Sequence, residues 1–140
     1  MGVPDVIINY HAVLVAALAG IIIGSFWYSP LLFGNIWIKL SKFTLKDMNA
    51  AKKKGMGKTY LVAFIGSFVF AYVLAHFAKY IGALSVGDAL QLGFWSWLGF
   101  IVPVQLGMVL WEGKPLKLYL INIAYHLVTL LVMSMILVAW

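Results

Sequence analysis

Apolar residues run along this chain in four long stretches, at residues 6–28, 60–81, 86–111 and 116–140, parted by short polar or basic segments. Each is close to the ~20 residues that an α-helix needs to cross about 30 Å of hydrocarbon. The pattern therefore predicts four membrane-spanning helices that fill most of the chain. Ser29-Pro30 ends the first, because proline has no N–H and pushes the preceding residue out of the helical region. Beyond it Leu32, Phe33, Ile36, Trp37, Leu40 and Phe43 recur at helical spacing opposite Asn35, Lys39, Lys42 and Lys46, the pattern of a helix lying in the interface. Thr44-Leu45-Lys46-Asp47 starts a short cytoplasmic helix with a capping-box pattern, and Gly55 ends it; Ser85-Val86-Gly87-Asp88 opens the third span in the same way. Glu112-Gly113-Lys114-Pro115 is a tight turn that folds the last two spans into a hairpin. The expected fold class is all-α: a four-helix transmembrane bundle with an interfacial amphipathic helix and a short cytoplasmic helix between the first two spans, one domain over residues 1–140.

Composition agrees with this pattern and removes several alternatives. Hydrophobic residues make up 64% of the chain and charged ones 10%, with a mean hydropathy of +1.01, whereas a globular domain is about half apolar and about a quarter charged. The opening Met1-Gly2-Val3-Pro4-Asp5 lacks the cationic start of a cleavable signal, so the first stretch is expected to be a retained helix. Cysteine is absent, which excludes thiol nucleophiles and Cys-ligated metals. The basic side chains are all lysine, without the arginine forks that read phosphates and base edges, so no nucleic-acid partner is expected.

The lysines also orient the chain. Lys39, Lys42, Lys46, Lys52, Lys53, Lys54 and Lys58 lie between the first two spans, Lys114 and Lys117 lie at the hairpin turn, and Lys79 alone falls on the other side. The positive-inside rule then gives a multi-pass cell-membrane protein with both termini outside and residues 39–58 cytoplasmic.

Helices in lipid associate by close packing, which makes rows of small residues informative. The first span has Ala12, Ala16, Gly20 and Gly24 in one row and the second has Ala63, Ser67, Ala71 and Ala75; the two rows are expected to face each other. Phe64, Phe68, Tyr72, His76 and Tyr80 form an aromatic row beside the second, most simply read as packing surface. Polar groups inside the spans must face the bundle or a wet cavity. His11, His76 and Gln91 fall near one depth towards the outer side and form a secondary set of polar candidates, whereas His126 lies closer to the middle. No HxxxH or HxxEH spacing joins any two histidines and no carboxylate lies well inside a span. No metal site, catalytic residue or cofactor is therefore expected, and hydrogen-bonded packing is the simplest role for each histidine.

The hairpin turn places residues equidistant from it at similar depth, which pairs Gln105 with Asn122 and His126 with Gly99. Pro103 cannot donate to the Gly99 carbonyl, which then needs another donor within the membrane. The expected site is a polar intramembrane pocket of Gly99, Gln105, Asn122, Tyr125 and His126.

Trp27-Tyr28-Ser29-Pro30-Leu31-Leu32-Phe33-Gly34 with Trp37, and Glu112-Gly113-Lys114-Pro115-Leu116-Lys117-Leu118 with Leu120-Ile121-Asn122 and Tyr125-His126, carry a further signal. In these strings, and over nearly its whole length, the chain resembles the family catalogued as domain of unknown function 1761. The resemblance implies a compact four-helix integral membrane protein of bacteria and archaea and implies no activity, substrate or site.

Buried histidines and amides in so short a chain favour a small homo-oligomeric membrane protein that binds or conducts a small solute or ion. A non-transporting structural or regulatory subunit, binding lipid or another membrane protein, is the alternative. An intramembrane enzyme ranks last, since its chemistry would rest on histidine, tyrosine and amides alone. The orientation has a direct test. In intact cells, a cysteine introduced at position 53 should resist an impermeant thiol reagent while one at position 2 reacts; the opposite pattern inverts the assignment.

Overall fold

The computed structural model describes residues 5–140, so the opening Met1-Gly2-Val3-Pro4 lies outside the described residues. Eight helical segments follow one another: α1 (Tyr10–Trp27), α2 (Gly34–Ser41), α3 (Leu45–Lys54), α4 (Met56–Tyr80), α5 (Val86–Phe100), α6 (Val102–Gln105), α7 (Gly107–Leu110) and α8 (Leu116–Ala139). Four helices are long and apolar enough to cross a membrane: α1, α4, the interrupted α5–α7 stretch over Val86–Leu110, and α8.

Their ends follow from local chemistry. The Asn9 side chain accepts from the backbone N–H groups of His11 and Ala12 at 3.1 and 3.3 Å. Asn9 thus caps α1, and the helix begins at Tyr10 rather than at residue 6 because two of its orphan donors are satisfied there. Both capping boxes are formed. Asp47 N–H donates to Thr44 Oγ1 at 3.1 Å while Thr44 N–H donates to Asp47 Oδ2 at 3.0 Å; Ser85 and Asp88 exchange the same pair at 3.1 Å each. The Thr44 bonds hold the Asp47 carboxyl below its ordinary pKa. At Gly55, with φ +87°, α3 stops and α4 resumes at once. The fourth-element start at Met56 takes in Lys58 and Thr59, polar residues ahead of the apolar stretch at 60.

The third span is not one continuous helix. It breaks at Ile101 and again at Leu106, on either side of Pro103, which sits in the first turn of α6, where a missing N–H costs nothing. The Tyr119 hydroxyl donates to the Val102 carbonyl at 2.6 Å, a side-chain donor for a carbonyl that the irregular backbone leaves without its helical partner.

α8 is the centre of the bundle. It packs on α1, α4 and α5 and touches α2, α6 and α7, and its buried residues include Leu130, Met133 and Ser134 at 2% exposure or less. The small-residue row of α1 is used within the same chain. A Cβ at Gly20 would come 2.6 Å from Met133 Cε of α8 and 2.9 Å from Ser67 Oγ of α4, and one at Gly24 would come 3.0 Å from the Tyr125 hydroxyl. The α4 row meets α1 through Ser67, whose hydroxyl donates to the Ala17 carbonyl at 2.8 Å, and Ala71 and Ala75 are buried, but Ala63 is exposed.

The backbones of α5 and α8 come close at Gly93, where a Cβ would lie 3.0 Å from the Leu130 carbonyl oxygen and 3.1 Å from Leu131 Cα. Backbone cannot swing aside as a methionine tip can, so Gly93→Ala should lose about 1–3 kcal/mol by forcing α5 from α8. Gly99→Ala, with nothing within 4 Å of the new Cβ, should leave stability unchanged or slightly raised. Reversible unfolding in mixed micelles measures both, and equal stability of the two variants would rule out close α5–α8 contact at Gly93.

Candidate functional site

Trp27, Tyr28 and the turn after them lock the end of α1 against α8. The Trp27 indole N–H donates to the Ile121 carbonyl at 3.1 Å, and the Tyr28 hydroxyl donates to Asn122 Oδ1 at 2.7 Å. From the other side of α8, the Trp97 indole N–H donates to the Ile123 carbonyl at 2.7 Å. The turn itself is tight. Phe33 N–H bonds the Trp27 carbonyl at 2.9 Å and Gly34 N–H bonds the Ser29 carbonyl at 2.8 Å. A Cβ at Gly34 would fall 2.5 Å from the Tyr28 carbonyl oxygen, so only glycine lets the chain fold back there.

That turn sends α2 across the end of the bundle, and its apolar face is divided. Ile36 is exposed, as are Leu31 and Leu32 of the turn before it. Trp37 instead packs edge-on to Tyr28, with ring centroids 6.0 Å apart, and lies 5.6 Å from Phe43. Between these aromatics and the spans opens a cleft of about 540 Å³, lined by Tyr28, Trp37, Ile38, Phe43, Met48, Gln105, Asn122 and His126. It faces the end of the bundle that carries the lysine-rich segment.

Gln105, Asn122 and His126 therefore come together in one cleft. Asn122 is engaged, accepting from Tyr28 and making only a long contact, 3.9 Å, from Nδ2 to Met108 Sδ. Among the described residues, no hydrogen bond to protein occupies the Gln105 amide or the His126 imidazole. Tyr125 sits beside the cleft and does not line it: its ring lies 5.5 Å from that of Tyr28, and its hydroxyl donates to the Gly20 carbonyl at 3.0 Å. Gly99 is not with the others. It follows Trp97, which reaches α8, by two residues, about 200° around the helix, and is exposed on the far side. Distance from the turn gives depth, and helical phase decides the face.

The secondary candidates do not assemble. His11 and Gln91 are exposed, while His76 Nδ1 hydrogen bonds the Tyr72 carbonyl at 2.8 Å within its own helix. His76 stands in the aromatic row, its ring 4.7 Å from Tyr72 and 6.1 Å from Tyr80. Among the described residues, no three His, Asp or Glu side chains converge.

The model of the family described as "Protein of unknown function (DUF1761)" matches residues 11–138. The chain belongs to that family. No curated protein and no solved structure matches it. In this DUF1761 member the two strings that carried the resemblance are hydrogen-bonded to each other, Trp27 to Ile121 and Tyr28 to Asn122. Sequence reasoning passed over Tyr28, Trp37, Ile38, Phe43 and Met48 as cleft residues. Tyr28 and Trp37 stood in those same strings, and that was the available signal.

The Tyr28–Asn122 bond is open to a double-mutant cycle. Tyr28→Phe and Asn122→Leu should each destabilise the protein, and the double variant should cost less than their sum by about 0.6–1.7 kcal/mol, the range for hydrogen bonds between membrane helices. Strictly additive losses would remove the bond.

Proposed function

We propose that this DUF1761 protein is a small integral protein of the cell membrane that binds a small uncharged polar solute in the cleft between α1, α2, α6 and α8, from the cytoplasmic side. One observation carries the reading: two polar side chains of membrane-crossing segments, Gln105 and His126, line an open cleft of about 540 Å³ without a protein partner. Both side chains are half-buried and face the cleft, so their polar atoms are available to pair with a ligand or ordered water. Among the described residues, no carboxylate and no lysine lines the cleft, which favours an uncharged solute over an ion. The aromatic wall of Tyr28, Trp37 and Phe43 suits a solute with one flat apolar face. Lysine asymmetry supports a cytoplasmic opening. One chain supplies every lining residue, so binding needs no second copy.

Ligand-observed NMR of the purified protein in nanodiscs, with a panel of neutral heteroaromatic amides and alcohols, tests this reading. A subset should bind, lose its saturation-transfer signal in His126→Leu and Gln105→Leu, and keep it in Gly99→Ala. If no member of the panel distinguishes these variants, the cleft is not a solute site.

A further inference from the structure

The charge of this chain is gathered in one place. Residues 39–58 hold seven of the ten lysines and one carboxylate, Asp47, so this segment alone carries the whole formal net charge of +6; the other three lysines are balanced by Asp5, Asp88 and Glu112. All seven lysines are exposed. The one carboxylate is engaged in the Thr44 cap.

α3 lies in the middle of this segment, and little protein holds it. It has no buried residue and at most grazes the other helices; its least exposed side chains, Met48 and Ala51, are half-buried. A helix shorter than ~12–15 residues is marginal in water unless packing of one face supports it, and α3 has ten residues, the last three of them Lys52, Lys53 and Lys54. Such a helix needs a surface to lie on.

The two ends of the segment keep it at headgroup depth. α2 leaves the end of α1 through the tight Ser29–Gly34 turn. Gly55, where α3 stops, stands five residues ahead of Tyr60, where the apolar stretch of α4 begins, and this is about 7.5 Å along a helix axis. The headgroup layer is about 5–8 Å deep on each side of the hydrocarbon. Anionic headgroups are the charge complement found there, and lysines beside a span feel them over a Debye length of about 8 Å.

We propose that residues 39–58 dock on anionic phospholipid headgroups, with α3 lying in the headgroup layer. The attraction is diffuse, because lysine is a point charge on a flexible stem and the chain has no arginine fork to fit a single phosphate. Surface charge therefore governs the docking, at about fivefold in affinity per lysine, and headgroup identity does not. Phe43 and Met48 of the same segment line the cleft, so the headgroups also steady one cleft wall, whether or not a solute enters it.

Hydrogen exchange of the full chain in nanodiscs tests this. Amides of residues 45–54 should exchange about tenfold more slowly with phosphatidylglycerol or phosphatidylserine in the bilayer, at equal mole fraction, than in phosphatidylcholine alone. In about 1 M salt, where the Debye length falls to about 3 Å, the difference should vanish. The combined Lys46→Gln, Lys53→Gln and Lys54→Gln variant should lose most of the protection, whereas Lys79→Gln, at the far end of α4, should keep it; α8 around Leu130 should exchange slowly in both, as in the parent. Equal exchange of residues 45–54 in all three bilayers overturns the proposal. So does protection by one anionic lipid and not the other, which marks a fitted headgroup site, and so does protection in phosphatidylcholine by added polyuridylate with none from either anionic lipid, which marks a soluble polyanion as the partner.

Discussion

Hydrocarbon offers no hydrogen bonds, so a polar group inside the membrane must find its partner in the protein. The bundle is organised around that constraint. Among the described residues, five side chains donate across helix boundaries to backbone carbonyls: Ser67 to Ala17, Trp27 to Ile121, Trp97 to Ile123, Tyr119 to Val102 and Tyr125 to Gly20. Four of the five begin or end on α8. The two indoles grip it from opposite sides, since Ile121 and Ile123 are two residues apart and project about 200° from each other. With no hydrophobic force to hold helices together in lipid, these bonds and the close contacts at Gly20, Gly24 and Gly93 fix which helices are neighbours.

The cavities lie where that network stops. At the lysine-rich end, Tyr28 holds Asn122 and aligns the cleft wall, while Gln105 and His126 on the same wall stay unpaired. At mid-depth Tyr125 donates to the Gly20 carbonyl and ties α8 to α1. Between α4 and α5 no side chain bridges the two helices among the described hydrogen bonds, and an apolar groove follows that gap. Satisfied polar groups thus build the frame, and Gln105 and His126 are left to the cleft.

The irregular third span contributes in the same way. Pro103 and the breaks at Ile101 and Leu106 turn α6 so that Gln105 lines the cleft. The short α7 brings Met108 to Asn122. A straight helix from Val86 to Trp111 would keep a single phase along its length; the breaks let α5 pack on α8 through Gly93 and Trp97 while α6 presents an amide to the cleft.

Some of this was legible in the residues themselves. Four spans, both capping boxes, the stop at Pro30 and the hairpin turn rest on local pattern, because span length, cap chemistry and proline sterics act within a few residues of chain. The gathering of Gln105, Asn122 and His126 was legible too, since distance from a tight turn sets depth and buried polar residues must turn inward. Gly99 could not be placed that way: its side of the helix depends on phase carried through packing with α8. The parts of the cleft supplied by α2 and α3 depend on how tightly Ser29–Gly34 closes, and no periodicity reports that closure. Nor could the sequence show which polar groups would pair. Tyr28 and Asn122 are ninety-four residues apart, and whether a hydroxyl finds an amide at that separation is decided only when the helices pack. The sequence by itself determined the elements and their solvent, because those follow from neighbours along the chain; the tertiary structure alone decided the partners, the gaps and the cavity they leave.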